Sequence, residues 1–301
     1  MTFQHTPVLL DEVISNLELK KGNIVVDATF GGGGHARAIL ERIGNTGKLI
    51  AIDQDTDAIN NAKQNGIDAE FHHTNFANLE KVLRERKVDA ILADIGVSSY
   101  QIDEAERGFS YMLDAPLDMR MNKDAKLNAW HIVNKSKESE LEKILKDYGE
   151  ERYAKKIAAS IASRRPINTT LELAKICEQS VPGTYYKFFG HPAKKTFQAI
   201  RIAVNDELGA LERFLPIAIE SLNPDGKIAI ITFHSLEDRI VKQTFKTYAA
   251  TCHCPPKTPL CICGHTISLK ILTKKPIVAT DIEVKANPRS ASAKLRVAVK
   301  L

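Results

Sequence analysis

Residues 23–35 read Asn23-Ile-Val-Val-Asp27-Ala-Thr-Phe-Gly31-Gly-Gly-Gly34-His35. A β-branched run that ends in an acid and passes through four glycines into an amphipathic segment is a strand, a tight turn and a helix. Successive glycines let the backbone turn sharply and approach a ligand closely, and the helix N-terminus behind them favours polar or anionic groups. Downstream the pattern repeats: a helix over His35 to Ile43, a strand over Lys48 to Asp53 and a helix over Asp55 to Gln64. A weaker strand over Asp68 to His72, a helix over Phe76 to Arg86 and a strand over Val88 to Asp94 follow. Strands separated by single helices imply right-handed crossovers and an α/β fold, with a parallel sheet covered on both faces.

The alternation stops after Asp103. Residues 136–163 have helical periodicity, with Leu141, Ile144, Leu145, Tyr148, Ile157, Ala158 and Ile161 as the apolar stripe. A short helix near Leu171 to Gln179 follows, among the punctuating Pro166, Pro182, Gly183, Gly190 and Pro192. A long helical pattern from Lys195 to Leu222, interrupted near Pro216, leads through Asn223-Pro-Asp-Gly226 into the clear strand Lys227 to Phe233. Ser235 to Tyr248 is helical, and Ser268 to Leu272 and Leu295 to Val299 are strands. The expected organisation is a discontinuous sheet domain, residues 1–103 and 196–301, with residues 104–195 as a helical insertion that recognises substrate.

With 301 residues, 44% hydrophobic and 26% charged, the chain can bury a sizeable core, which excludes a disordered or low-complexity protein. No apolar run reaches membrane-spanning length, and Asp11, Glu12 and Glu18 stand where a signal peptide would be basic and then apolar. Five cysteines, four of them between Cys252 and Cys263, argue against a disulfide framework, so the chain is expected in the cytoplasm without a membrane contact. The net charge of +5 is uneven: residues 1–100 carry 10 Lys/Arg against 14 Asp/Glu, residues 101–190 carry 15 against 14, and residues 191–301 carry 17 against 9. A basic final third fits contact with a polyanion, and equally a solvated lysine-rich surface.

The acids at the strand ends separate two ligand classes. Gly31, Gly33 and Ala36 satisfy the G-x-G-x-x-[GA] pattern of dinucleotide sites. Asp53, at the end of the second strand, can accept both ribose hydroxyls of a nicotinamide cofactor or of S-adenosylmethionine. Asp27, directly before the glycines, would repel a pyrophosphate but suits a ligand bearing ammonium and sulfonium charges. With Asp94 ending the fourth strand, a methyl donor is favoured. Phe76 follows the third strand, where its ring can lie on an adenine or simply pack in the core.

These residues, with several longer motifs, resemble the bacterial 16S rRNA (cytosine-N4)-methyltransferase family. The similarity runs nearly end to end, through His5 to Leu9, Asp27 to His35, Asp94 to Ser99 with Gln101 and Asp103, and Pro116-Leu-Asp-Met-Arg-Met121. It continues through Tyr148 to Arg152, His191 to Gln198, Asn205 to Leu208, Phe233 to Arg239, Asn287 to Arg289 and Ala293 to Arg296. The resemblance implies a class I (Rossmann-like) S-adenosylmethionine-dependent methyltransferase sheet with an inserted helical domain. It further implies donor contacts at Gly33, Gly34, His35, Asp53, Phe76, Asp94 and Gln101, beside Asp27 and Gly31, and as substrate a cytidine in the decoding region of 16S rRNA in the small ribosomal subunit. The sequence departs from the family pattern at Met112, Ala115, Asn122 and Ala291, and an arginine is usual at the first and last of these.

Methylating an exocyclic amine requires sulfur, methyl and nitrogen near one line and an acceptor that localises the amine lone pair. Asp94 is the candidate acceptor, although the Pro-Pro-aromatic sequence that follows this acid in related amino-methyltransferases is absent here. Tyr100, Phe109 and Tyr111 are candidates to stack on a flipped base, or are packing residues. No cysteine lies near the fourth or fifth strand end, as carbon-5 methylation would need. Arg164, Arg165, Lys194, Lys195, Arg201, Lys274, Lys275, Arg289, Lys294 and Arg296 are the cations considered for RNA contact. His234 to Asp238 lies near the expected substrate, or caps a helix with Ser235 and Asp238. Cys252, Cys254, Cys261 and Cys263 form C-x-C…C-x-C, narrower than the usual C-x₂₋₄-C zinc knuckle, so no metal is expected and zinc is kept as the alternative. Two other functions remain open: a nicotinamide-dependent oxidoreductase, and a non-catalytic RNA-binding ribosome-assembly factor.

Overall fold

The computed structural model describes residues 7–252, 254, 262–264 and 266–301. It divides into two compact units, Met1–Gly96 with Leu208–Leu301, and Val97–Glu207. The changeovers fall at Gly96/Val97 and Glu207/Leu208, whereas the sequence patterns put them at 103/104 and 195/196.

The first unit is built on an eight-stranded sheet of β1 (Ile24–Asp27), β2 (Lys48–Asp53), β3 (Glu70–His73), β4 (Val88–Asp94), β5 (Leu222–Thr232), β6 (Leu269–Ile271), β7 (Ile277–Val278) and β8 (Lys294–Lys300). The order is β3-β2-β1-β4-β5-β8-β6, with β7 also pairing to β8. β1 to β5 are parallel and β8 is antiparallel to β5. Alternate residues feed two cores, as strand geometry requires. Val26, Ile50, Ile52, Ile91, Ala93, Ile228 and Ile230 join Leu79, Leu211, Phe214, Leu215 and Phe245 on one face. Val25, Leu49, Ala51, Ala90, Leu92, Ala229 and Ile231 join Val13, Leu17, Ala36 and Ile39 on the other. Burial on both faces explains why these strands read as nearly unbroken apolar runs.

Local differences from the sequence pattern have local causes. The expected helix from Phe76 to Arg86 is a 3-10 turn, Phe76–Asn78, followed by the helix Leu79–Leu83. Arg86 stops it by donating to Val82 O at 2.8 Å and Leu83 O at 3.3 Å, while holding Glu70 in a two-pronged ion pair. The long pattern from Lys195 breaks at Asp206, which takes a left-handed conformation (φ 49) between the helices Ala193–Asn205 and Glu207–Ser221. Pro216 lies inside the second helix, where burial of Leu211, Phe214, Leu215 and Ile219 outweighs the lost backbone bond. Residues 223–226 loop out as the β4 register jumps from Val88↔Leu222 to Ala90↔Lys227. The helices Leu10–Leu17 and Asp281–Ala286 and strand β7 carry patterns too short to read in advance.

The second unit has its own core, centred on Leu141, Leu145, Ile157, Ile161, Leu173, Phe197 and Ile200. Its main helices are Ala129–Lys135, Glu138–Gly149, Ala154–Ser163, Thr170–Gln179 and Ala193–Asn205. Two segments of the family resemblance are structural here. Asp118 and Arg120 form an ion pair at 2.6 Å, and Asn205 accepts from Met121 N and donates to Met119 O, both at 2.8 Å. Gly149 lies where a Cβ would stand 2.8 Å from Lys195 O, so these two helices touch through backbone.

One expected RNA contact is corrected. Arg296 is 6% exposed and donates to Asp238 at 2.6 and 3.1 Å, so it is an interior ion pair and not a surface cation. Removing Arg296 takes away the hydrogen-bonded counter-charge of Asp238 and leaves it facing the more distant Lys294 Nζ at 3.8 Å. Arg296→Ala is therefore expected to lower the unfolding free energy by about 3 kcal/mol, read from the denaturant midpoint.

Candidate active site

β1, β2 and β4 end in Asp27, Asp53 and Asp94 on one edge of the sheet. The chain runs outward in one direction from β1 to β2 and in the other from β4, so this edge is the topological switch point where open α/β sheets hold ligands.

The glycine loop crosses it. Gly33 has φ 73, and a Cβ there would stand 2.6 Å from the Phe30 ring, so the position tolerates only glycine. A Cβ on Gly34, the first residue of the helix Gly34–Ile43, would press on Pro7 at 3.0 Å. The Asp53 carboxylate ties the loop to β2 by accepting from Gly31 N at 2.7 Å and Asp55 N at 2.8 Å. His35 is buried, and its Nε2 donates to Val8 O at 3.0 Å, since a carbonyl can only accept. Its Nδ1 lies 3.9 Å from Asp94 Oδ2.

The electrostatics are dominated by carboxylates out of water. Asp27 is 1% exposed; Oδ1 accepts from Thr29 N at 3.2 Å and Oδ2 has no hydrogen-bond partner. The Asp94 backbone N donates to Thr29 Oγ1 at 2.6 Å, and Oδ1 of its side chain is likewise buried without a partner. Burial first, then the charges of Asp27 and Glu237, push the Asp94 carboxyl up to about 8. Burial, opposed by the Thr29 amide, raises Asp27 to about 7. Burial raises Asp53 to about 6, less far because backbone amides of Asp55 and Gly31 hold its charged form. A cluster of this kind favours a cation, or a ligand rich in N–H and O–H donors, over another anion.

The other expected residues fall in three places. Phe76 meets Phe214 in a T-shaped contact, ring centroids 5.1 Å apart, and stays half-buried in the turn after β3. Gln101, Tyr100 and Phe109 belong to the helical unit, where Gln101 and Ser98 cap the helix Ser99–Asp103 reciprocally and Phe109 joins the core. Arg289 is exposed in the turn Pro288–Ser292, and Lys294 opens β8 with its side chain 39% exposed. Cys252, Cys254 and Cys263 lie together, and Cys261 falls outside the described residues.

Glu237 was missed by sequence reasoning. Fully buried, it accepts from Phe233 N at 2.8 Å and His234 N at 3.2 Å, so the helix Ser235–Tyr248 is capped from His234 and not by Ser235 with Asp238. The three-residue spacing from His234 to Glu237 was the available signal. Pro7 and Val8, read only as part of the His5 to Leu9 motif, had no stated role, and Glu283 was missed; Glu283 Oε1 accepts from Leu9 N at 2.8 Å and anchors the segment that covers the glycine loop.

A family model described as the MraW methylase family matches residues 2–301. The chain belongs to this family. Ribosomal RNA small subunit methyltransferase H of Clostridium botulinum (strain Kyoto / Type A2) is 52% identical over 310 residues, covering 100% of both chains. The protein of the same name from Heliobacterium modesticaldum is 50% identical over 312 residues, again covering 100% of both. An rRNA methylase from Streptococcus thermophilus aligns with 97% of this chain and 93% of its own, at 12% identity and a TM-score of 0.42.

In this MraW-family site the raised carboxyls make stability depend on pH. Between the unfolded value of 3.8 and about 8 the folded Asp94 keeps a proton that the unfolded chain has released, so its contribution to stability is lost as pH rises through that window. The melting temperature of the ligand-free protein is expected to fall more steeply between pH 6 and about 8 than that of Asp94→Asn. Parallel curves for the two proteins would remove the assigned shift.

Proposed function

We propose that this chain is an S-adenosylmethionine-dependent methyltransferase that methylates N4 of a cytidine in the 16S rRNA of the small ribosomal subunit, in its decoding region. One observation carries the reading: two carboxylates that each bury an unpartnered oxygen, Asp27 and Asp94, stand beside a glycine loop whose Gly31 is tied to the acid that ends β2. Full-length identity of about half to proteins named ribosomal RNA small subunit methyltransferase H supports the substrate class.

Each residue then has a task. The donor, when bound, supplies a methyl already activated on a sulfonium. Asp53 accepts ribose hydroxyls with the lone pairs that its two backbone donors leave over. Asp27 faces the cationic end, Gly33 and Gly34 let the backbone approach, and Phe76 offers the free part of its ring to the adenine. Asp94, in its ionised form, accepts a hydrogen of the cytosine amine and localises the nitrogen lone pair. The amine proton is lost readily after transfer, so no strong base is required. His35 holds the loop through Val8 and flanks Asp94. The helical unit recognises RNA, with Tyr100 as the candidate base contact, whereas Phe109 is buried in the core of that unit and is not one. Arg289 and Lys294 contribute phosphate contacts from the basic final third. An rRNA substrate puts the work in the cytoplasm, and among the described residues no helix is long and apolar enough to cross a membrane. The unpaired Asp27 beside the loop argues against a pyrophosphate cofactor, and the full set of donor-site acids argues against a non-catalytic role.

Small subunits lacking the modification, incubated with labelled donor and digested to nucleosides, are expected to yield N4-methylcytidine by mass spectrometry; 5-methylcytidine or no product defeats the proposal. Asp94→Asn should lower kcat by about a hundredfold while RNA binding is largely kept. Unchanged methylation would sink the role given to Asp94. Arg289→Ala and Lys294→Ala should each reduce the salt slope of subunit binding by about one, whereas Arg296→Ala should not.

A further inference from the structure

The segment between the helix Ser235–Tyr248 and β6 is tied at its base, where Ser268 N donates to Tyr248 O at 3.0 Å and Leu301 N donates to Ser268 O at 3.0 Å. Residues 249–267 contain no helix or strand among the described positions. The function proposed above makes no use of this segment.

Three thiols converge there. One Sγ from each of Cys252, Cys254 and Cys263 lies within 4.8 Å of the others, and Cys252 Sγ is 3.7 Å from Cys263 Sγ. Two thiolates bound to one tetrahedral zinc at the usual bond length stand about 3.8 Å apart, which matches; a disulfide would need about 2 Å, and none of these cysteines forms one. Backbone amides also point at sulfur: Cys254 N donates to Cys252 Sγ at 3.2 Å and Ile262 N donates to Cys254 Sγ at 3.4 Å. Amides aimed at ligand sulfurs are what the outer shell of a thiolate metal site supplies.

We propose that Cys252, Cys254 and Cys263 supply three of the four ligands of one Zn²⁺ that joins residues 252–254 to residues 262–264, a water molecule completing the tetrahedron. Soft thiolates select zinc over the hard cations that carboxylates prefer. The narrow C-x-C spacing, which counted against a knuckle in the sequence, is no obstacle: two ligands come from residues 252–254, and Cys263 comes from residues 262–264. On binding, each thiol forms a sulfur–zinc bond and gives its proton to solvent, so affinity falls as pH is lowered. The ion changes no oxidation state and lies outside the methyl-transfer chemistry. Cys261 falls outside the described residues, and the proposal does not depend on it.

The full chain, purified without chelator, should contain about one zinc per molecule by elemental analysis. Exchange for Co²⁺ should give the intense visible bands and near-ultraviolet sulfur-to-metal absorption of a tetrahedral thiolate site. Cys252→Ser and Cys263→Ser should each cut the metal content at least tenfold. Cys177→Ser should leave it unchanged, because that thiol is buried in the helical unit and pushed up to about 12 by burial. Calorimetric binding of S-adenosylmethionine by the serine variants separates loss of metal from loss of fold, and it reads the donor site independently. Absence of both zinc and cobalt bands overturns the proposal. So does zinc retained in full by both serine variants.

Discussion

Unpaired negative charge in a buried place is the constraint on which the sheet unit turns. Asp27 and Asp94 each leave one oxygen without a partner, and Glu237 adds a third carboxylate to the same neighbourhood. Proteins rarely bury such groups without compensation, because an unpaired ionised carboxylate out of water costs several kcal/mol (roughly the effective penalty for one buried ion). Here the compensation in the ligand-free chain is protonation. A ligand with positive charge and hydrogen-bond donors can replace those protons. The surrounding geometry serves this edge: a parallel sheet sets the three strand-end acids side by side, and glycines let the loop pack closely on Phe30 and Pro7 beside them.

The same edge shows how support is distributed. Asp53 binds the loop backbone and Thr29 binds the Asp94 amide, while Val8 fixes the proton on His35 Nε2. These contacts join residues far apart in sequence, and each spends polar capacity that would otherwise point at the ligand. Asp53 is accordingly less perturbed than Asp94. The helical unit follows a different logic, with its own apolar core and with Asn205 and the Asp118–Arg120 pair holding the irregular segment around residues 116–121. Several residues that belong to long family motifs thus maintain the fold of that unit.

Strand and helix order in the sheet unit was largely legible, because strands buried on both faces give unbroken apolar runs and the helices between them are amphipathic. The limits were local. Pro216 looked like a helix break, yet tertiary burial carried the helix through it, and the break fell at Asp206 where no pattern marked it. Of the site, the strand-end acids and the glycine loop were legible because each marks a turn as well as a chemistry. Glu237 was not, because a cap residue becomes part of a charge cluster only when the fold brings the fifth strand beside the fourth. Arg296 looked like a surface cation, since charge is visible in sequence and burial is not.

By itself, then, the sequence determined the alternation of elements, the placing of acids at strand ends, the family and the chemistry these imply, for those depend on neighbours within a few residues or on long matched motifs. Only the tertiary structure decided which carboxylate oxygens lack partners, which arginine is spent on an interior ion pair and which cysteines meet. Those outcomes depend on burial and on distances between segments far apart in the chain, and both arise only when the chain is folded.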